Sequence, residues 1–462
     1  MFIGREKELQ ELNRFYSRND FQMIVLYGRR RVGKTTLLKE FTKDKSAVLF
    51  FSEQSNEKLN LEKISRELFD YFGEKHLENF TSWDKVFGYI GEKSTHERFI
   101  LVLDEFPYLA ESNKTILSIL QHYIDNQLKD TKLYLVLCGS YVGFMEREVL
   151  GAKSPIFGRR TAQLHLKSFD YYDSAQFLQN FSNEDKVQLY AAFGGTPRYL
   201  SEIDNALSVG ENLYYHYLIP TGYLYEETNL LLQQELREPG VYNAIVGAIA
   251  SGAVKLNEIH LKTGEDAAKC AKYLSTLVNL GIVKKELPLG EKETSRKNLY
   301  RLADNMFYFW YRFVGPNKAL IETDAGDIVL EKRVMPFFSE YIGPVFEEVC
   351  RDFLFRQNSQ GKLPFLFTRI GRWWGNDVDK KQQIEIDLIA TDQSTAMFCE
   401  CKWRNEAVNE KILNQLIEKA NSFHSETNYY ALFSKSGFTQ ELEKKALESE
   451  QILLFTLDDL FQ

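Results

Sequence analysis

Short apolar runs punctuate the first third of the chain. Phe21–Gly28 (FQMIVLYG), Ser46–Phe51 (SAVLFF), Arg98–Glu105 (RFILVLDE) and Leu133–Ser140 (LYLVLCGS) are apolar at consecutive positions rather than alternate ones. A strand apolar on both sides has both faces covered, as inside a parallel sheet flanked by helices. Segments of helical spacing separate the runs. The pattern predicts an α/β core over residues 1–165, with TAQLHL (161–166) as a further strand. Residues 166–236 read as helical. Residues 237–302 read as three helices and a hairpin, the element order of a winged helix. Residues 303–462 return to a mixed α/β pattern.

Composition narrows the class. The 462 residues are 44% hydrophobic and 26% charged, with 34 Phe and 25 Tyr, which favours packed cores and excludes extended disorder. A net charge of −8 excludes a globally basic nucleic-acid coat but not a local basic patch. The five cysteines form no CxxC pair and their number is odd, so neither a disulfide scaffold nor a zinc site is expected. The opening MFIGREKELQEL has no apolar leader, and no run approaches the roughly 18 apolar residues of a membrane span. A cytoplasmic protein with no membrane association is expected.

The strongest chemical signal follows the first run. Gly28-Arg29-Arg30-Arg31-Val32-Gly33-Lys34-Thr35 fits GxxxxGK[ST], after a strand and before the helix that Thr36 continues. Its backbone N–H groups and the helix N-terminus suit phosphate oxygens. Lys34 would neutralise the β- and γ-phosphates, and Thr35 would hold Mg²⁺. The third run ends in Asp104-Glu105, where Asp104 would serve the same ion and Glu105 would orient the attacking water. Ser140 ends the fourth run and either senses the γ-phosphate or caps the strand. Arg159 and Arg160 precede the fifth; one reaches a phosphate, in cis or across a subunit interface, or both are solvated turn residues.

These features resemble the archaeal-type ATPases of the AAA+/STAND assemblage. The likeness rests on Phe2-Ile-Gly-Arg-Glu-Lys-Glu-Leu9, the two nucleotide motifs, the Gly-Ser strand end, SPIFGRR and Gly194-Gly-Thr-Pro-Arg198, in that order over the first half of the chain. The resemblance implies ATP as the nucleotide and places Gly4 and Arg5 near the adenine. It also implies that 166–236 is a helical lid, with Pro197 and Arg198 facing the nucleotide, and that homo-oligomers form in some relatives.

The 253–301 stretch holds 10 Lys/Arg against 6 Asp/Glu. That local excess suits DNA phosphates, through Lys269 and Lys272 on one helix face and Lys284, Lys285, Arg296 and Lys297 on the hairpin. The same module also serves as a protein-binding unit. The aromatic run Phe307–Phe313 either stacks bases or packs against other elements, and packing is the commoner use.

The last segment has its own candidate site. Glu385-Ile-Asp387 lies on one alternating strand and Glu400-Cys-Lys402 on the next, so Glu400 and Lys402 share a face. If the strands pair, Asp387 joins them. Asp387 and Glu400 would then bind a divalent metal while Lys402 orients a water for phosphodiester attack. The helix of Phe346-Glu347-Glu348 offers a further acid, and Gln415 lies on a later helix. The residues match the PD-(D/E)XK nuclease pattern. Arg372-Trp-Trp-Gly375 and ECKW resemble the nuclease-like domain of unknown function that follows archaeal-type ATPases. The expected fold is therefore α/β throughout: a P-loop ATPase core, a helical lid, a winged helix and a restriction-endonuclease-like domain. The expected function is an ATP-hydrolysing protein that binds or processes DNA. The alternative is an ATP-gated protein-binding switch with a silent C-terminal domain.

Overall fold

The computed structural model describes residues 2–74, 77–236, 238–295, 297–377 and 382–462. Arg237, at an expected boundary, and Arg296, in the expected hairpin turn, lie outside the described residues. The chain divides into two compact units, Met1–Ser168 and Phe169–Gln462.

In the first unit the apolar runs become β1 (Gln22–Tyr27), β2 (Ala47–Phe51), β3 (Ile100–Asp104) and β4 (Tyr134–Gly139), joined by β5 (Ala162–His165). They form one sheet in the order β2-β3-β4-β1-β5, every pairing parallel. The consecutive apolar pattern has a direct cause. Met23, Val25, Leu101, Leu103, Leu135 and Leu137 enter one core, while Ile24, Leu26, Ile100, Val102 and Val136 enter another on the opposite face. Helices α1 (Glu6–Tyr16) and α2 (Lys34–Thr42) cover the second face through Leu12, Leu37 and Phe41. Helices α3 (Glu57–Phe72), α4 (Trp83–His96), α5 (Phe106–Ser112) and α6 (Ile116–Asn126) cover the first through Ile64, Trp83, Leu109 and Leu120. Burying one such Leu or Ile contributes about 1.5–3 kcal/mol. Because the sheet is parallel, the loops after β1, β3 and β4 all open at its carboxyl edge, where ligands of open α/β sheets bind.

In the second unit α7 (Pro239–Ala250), α8 (Leu256–Thr263) and α9 (Ala267–Asn279) precede an antiparallel hairpin, β6 (Val283–Glu286) and β7 (Leu299–Leu302). Gly264 ends α8 at φ 70°, and the Asp266 carboxylate caps α9 by accepting from Ala268 N–H at 2.9 Å. The aromatic run is core. Phe307, Phe309, Trp310 and Phe313 are buried, and the Trp310 indole N–H donates to Tyr225 O at 2.6 Å.

Helix α10 (Met335–Ser359) then leads to a second sheet: β8 (Arg369–Asp377), β9 (Gln382–Thr391), β10 (Thr395–Lys402), β11 (Thr427–Ser434) and β12 (Ile452–Thr456), in the order β12-β11-β10-β9-β8. The β8–β9–β10 pairings are antiparallel and the β10–β11–β12 pairings parallel. Phe346 and Val349 of α10 join a core with Met397 and Cys399, and Leu413 and Leu416 of α11 (Glu410–Ala420) join one with Phe398 and Ile389. Opposite Arg372 the β8–β9 register slips from Gly371↔Ile389 to Trp373↔Ile386, so β9 carries one extra residue at Asp387–Leu388. Such a bulge re-aims a side chain that strict alternation would fix.

Candidate functional sites

The loop Gly28–Gly33 is bent by its backbone. A Cβ on Gly28 would collide with the carbonyl oxygen of Leu166, whose own N–H bonds to Tyr27 O at 2.7 Å. Gly33 sits at φ 92° as the N-cap of α2, and Arg31 at φ 72° shares the left-handed region. No side chain caps α2, so its first-turn N–H groups, from Lys34 through Thr36, stand at the loop. The buried Lys34 ammonium donates to Gly28 O at 2.7 Å and Arg29 O at 3.0 Å. A buried cation needs such acceptors, and phosphate oxygens are stronger ones. Arg30 donates to the Tyr108 hydroxyl at 2.7 Å, and Val32 packs in the core beside α2.

Thr35 Oγ1 donates to Asp104 Oδ2 at 2.9 Å, joining the loop after β1 to the end of β3. Asp104 is buried, and its other oxygen accepts from the Glu105 N–H at 2.9 Å. Glu105 adopts φ 51°, a strained value for a side chain of its size, and opens α5. Its Oε2 accepts from Ser140 Oγ at 2.7 Å and Ser140 N at 3.2 Å, so the carboxylate is held at the end of β4. Burial pushes the neighbouring Cys138 thiol well up, and the Asp104 charge pushes it the same way.

Gly4, at φ 65°, and Arg5, at φ 71°, turn the chain into α1. The Arg5 guanidinium donates to Val32 O at 3.2 Å and to Lys167 O, and it pairs with Glu8 at 3.1 Å. Arg5 thus fastens the phosphate loop to the segment after β5. Arg159 lies elsewhere. Thr161 N–H bonds to Met23 O, at the start of β1, while the phosphate loop begins after its end. Five residues of strand separate the two levels, about 16 Å at 3.3 Å per residue. The Arg159 guanidinium is held by both Asp125 oxygens at 2.7 Å, and Arg160 lies over the Phe157 ring. Arg159 thus lies at the opposite edge of the sheet from its own chain's phosphate loop, because the parallel strand β5 enters the sheet there. Pro197 and Arg198 belong to the second unit, where Arg198 pairs with Glu202 at 2.7 Å and lies over the Tyr223 ring.

In the second sheet the ladder pairs Cys399 with Leu388, which sets Glu400 opposite Asp387 one residue on. Asp387 Oδ2 accepts from Cys401 N–H at 2.8 Å. The buried Glu400 receives Lys402 Nζ at 2.5 Å on one oxygen and Lys419 Nζ at 3.1 Å on the other. Burial pushes the Asp387 carboxyl up, and the Glu400 charge adds to it. Burial pushes Glu347 of α10 up to about 8, against the pull of Arg372, with Asp387 adding to the rise. For Lys402 burial opposes the charge, but Glu400 and Asp387 outweigh it and raise the amine. The expected trio therefore comes together, with Glu347 as the added acid. Lys419 and Arg372 were not foreseen as members, since neither sits at a recognisable spacing. As a metal site the group fits poorly: both Glu400 oxygens are taken by lysines. Among the described residues no three His, Cys, Asp or Glu side chains form a metal-holding cluster.

The basic residues of 253–301 are partly spent on local pairs. Lys269 pairs with Glu265 at 2.9 Å, Lys297 with Glu291 at 2.5 Å, and Lys284 with Glu286 at 2.7 Å and Glu348 at 2.6 Å. Lys284 lies on the hairpin, as expected, with its ammonium paired to Glu348 of α10. No helix among the described residues is long and apolar enough to cross a membrane.

Residues 2–203 match the family described as an ATPase domain predominantly from Archaea. Residues 310–415 match one described as archaeal and bacterial proteins of unknown function. An uncharacterized protein of Methanocaldococcus jannaschii is 31% identical over 99% of this chain and 100% of its own length. An uncharacterized ATP-binding protein of the same organism is 51% identical over 10% of this chain and 76% of its own. Among solved structures, a Walker-type ATPase of Pyrococcus abyssi is 21% identical with a TM-score of 0.49, covering 67% of this chain and 96% of its own. The Aeropyrum pernix ORC2 protein is 15% identical with a TM-score of 0.44, covering 71% and 94%.

Proposed function

The chain belongs to the family of P-loop ATPases predominantly from Archaea, and on that premise we propose that its ATPase unit drives a second unit that engages DNA. The hydrogen-bonded chain Thr35–Asp104–Glu105–Ser140 carries the ATPase part. It aligns the ends of β1, β3 and β4 at the one edge where a phosphate can lie. Lys34 would exchange the Gly28 and Arg29 carbonyls for the β- and γ-phosphates. The Thr35 hydroxyl and Asp104 carboxylate are oxygen donors of the kind that suits Mg²⁺, which would shield phosphate charge when bound. Glu105, held by Ser140 through one oxygen, would orient the attacking water with the other. Gly4 and Arg5 would border the adenine, and Pro197 and Arg198 would belong to the lid. Arg160, which makes no ion pair among the described residues, would serve a neighbouring copy in a homo-oligomer.

We assign residues 166–236 to a lid, 237–302 to a winged helix and 303–462 to a nuclease-like domain. The two carboxylates opposite one another across β9 and β10, with Lys402 paired to Glu400, support that reading. So does the mixed sheet preceded by α10. DNA would be bound by the second unit in a cytoplasmic protein. One observation favours a second reading. The lysine cover on Glu400 suits a silent domain, in which the second unit is a nucleotide-gated docking module for a protein. Cleavage of supercoiled DNA with Mg²⁺ or Mn²⁺, with and without ATP, separates the two. Cutting that disappears in Lys402→Ala supports the first. ATP-gated capture of a protein without cutting supports the second.

A further inference from the structure

A cavity of about 370 Å³ lies within the second unit, between the hairpin and α10. Its volume is within the range of small-ligand sites, about 300–1,000 Å³. Lys284 and Arg301, cross-strand partners on β6 and β7, line one side. Glu348, Arg351 and Asp352 of α10 and Arg372 of β8 line the other. Four cations and two carboxylates thus line the cavity, and Glu286, Glu347 and Glu385 pair with those cations from outside the lining.

Lys284 is paired, but each arginine keeps donors that its neighbours do not use. Arg301 reaches Glu286 only through Nε, at 3.2 Å, and its two terminal amino groups make no hydrogen bond among the described residues. Arg351 pairs with Glu348 at 2.7 Å and Asp352 at 3.3 Å through Nη2 alone. Arg372 hydrogen-bonds Glu385 through Nη2, leaving Nη1 without a hydrogen bond among the described residues. A guanidinium carries five N–H donors, so each of the three has donors to offer an incoming acceptor. The rest of the wall is apolar: Ile249, Val254, Pro344, Val345 and the Tyr308 ring.

We propose that this cavity binds a small phosphorylated molecule, with the phosphate on Arg301 and Arg351 and the remainder against Tyr308 and Pro344. Forked guanidinium donors match phosphate oxygens in pairs. The site is separate from the phosphate loop, whose residues all belong to the first unit.

The test is calorimetric titration of the full chain carrying Lys34→Ala, which weakens phosphate binding at the first unit, with inorganic phosphate and with AMP. Saturable binding is expected, weakened at least tenfold by Arg301→Gln. Ala303→Trp, at the exposed rim, is expected to weaken it equally while all four cations remain. Binding of phosphate and AMP with equal strength supports an oxyanion site alone, and tighter binding of AMP supports use of the apolar wall as well. No saturable binding of either probe overturns the proposal, as does binding that neither Arg301→Gln nor Ala303→Trp changes.

Discussion

Glu105 and Ser140 are joined side chain to side chain at 2.7 Å across the ends of β3 and β4. The carboxylate that would orient water is thus held by the strand end beside it. Ser140→Ala removes the hydroxyl while keeping the N–H contact. Turnover of ATP is expected to fall by roughly 10- to 100-fold, the lower range of a positioned acid–base group. ATP affinity should change little, because Ser140 does not belong to the loop that grips the phosphates. Steady-state hydrolysis and equilibrium ATP binding on the same protein check both halves.

Gly28 crosses beneath the backbone of Leu166 with no room for a Cβ. Gly28→Ala must displace either the loop or the strand-end segment, neither of which is a flexible side chain. A loss of at least about 2–3 kcal/mol is expected in urea unfolding. Gly143→Ala, with ordinary side-chain neighbours beyond 3.5 Å, is the control and should be close to neutral.

The first sheet and its phosphate loop were legible in the sequence because four of its five strands are apolar at consecutive positions and the loop spacing is long and specific. The second site was legible only in part. Asp387, Glu400 and Lys402 follow from strand alternation, yet Asp387 stands at a bulge that no periodicity reveals. Glu347 was one of two adjacent acids, and only packing separates it, near Asp387, from Glu348, which pairs with Lys284. The hairpin cations looked free because sequence counts charge but not partners. Whether Arg159 serves a phosphate in cis, in trans or not at all was not legible, since its distance from the loop depends on the register of β5 against β1.

Burial pushes the Asp352 carboxyl up to about 6, against Arg351 and with Glu348 adding to the rise. A carboxyl raised in the folded state favours folding when protonated. Its contribution is therefore full below the ordinary aspartate range and is lost as pH rises through about 6. Asp352→Asn keeps the neutral form at every pH. The variant should gain on wild type by about 1–3 kcal/mol at pH 7.5 and match it near pH 4. Thermal unfolding from pH 4 to 8 measures the convergence; parallel curves contradict it.

Two lysines share the buried Glu400 carboxylate. Lys402→Met removes one partner and leaves the carboxylate half-compensated. A loss of about 1–3 kcal/mol is expected, and the double variant Lys402→Met, Glu400→Gln should recover part of it. A double-mutant cycle in urea reads the coupling directly.

Glu105 is the residue proposed to activate water. Steady-state ATP hydrolysis with Mg²⁺ by the full chain, wild type against Glu105→Gln, with ATP binding measured on both, is the decisive comparison. Hydrolysis reduced by at least about 100-fold with binding retained is the predicted result. Glu105→Gln protein that turns over ATP at the wild-type rate contradicts the account.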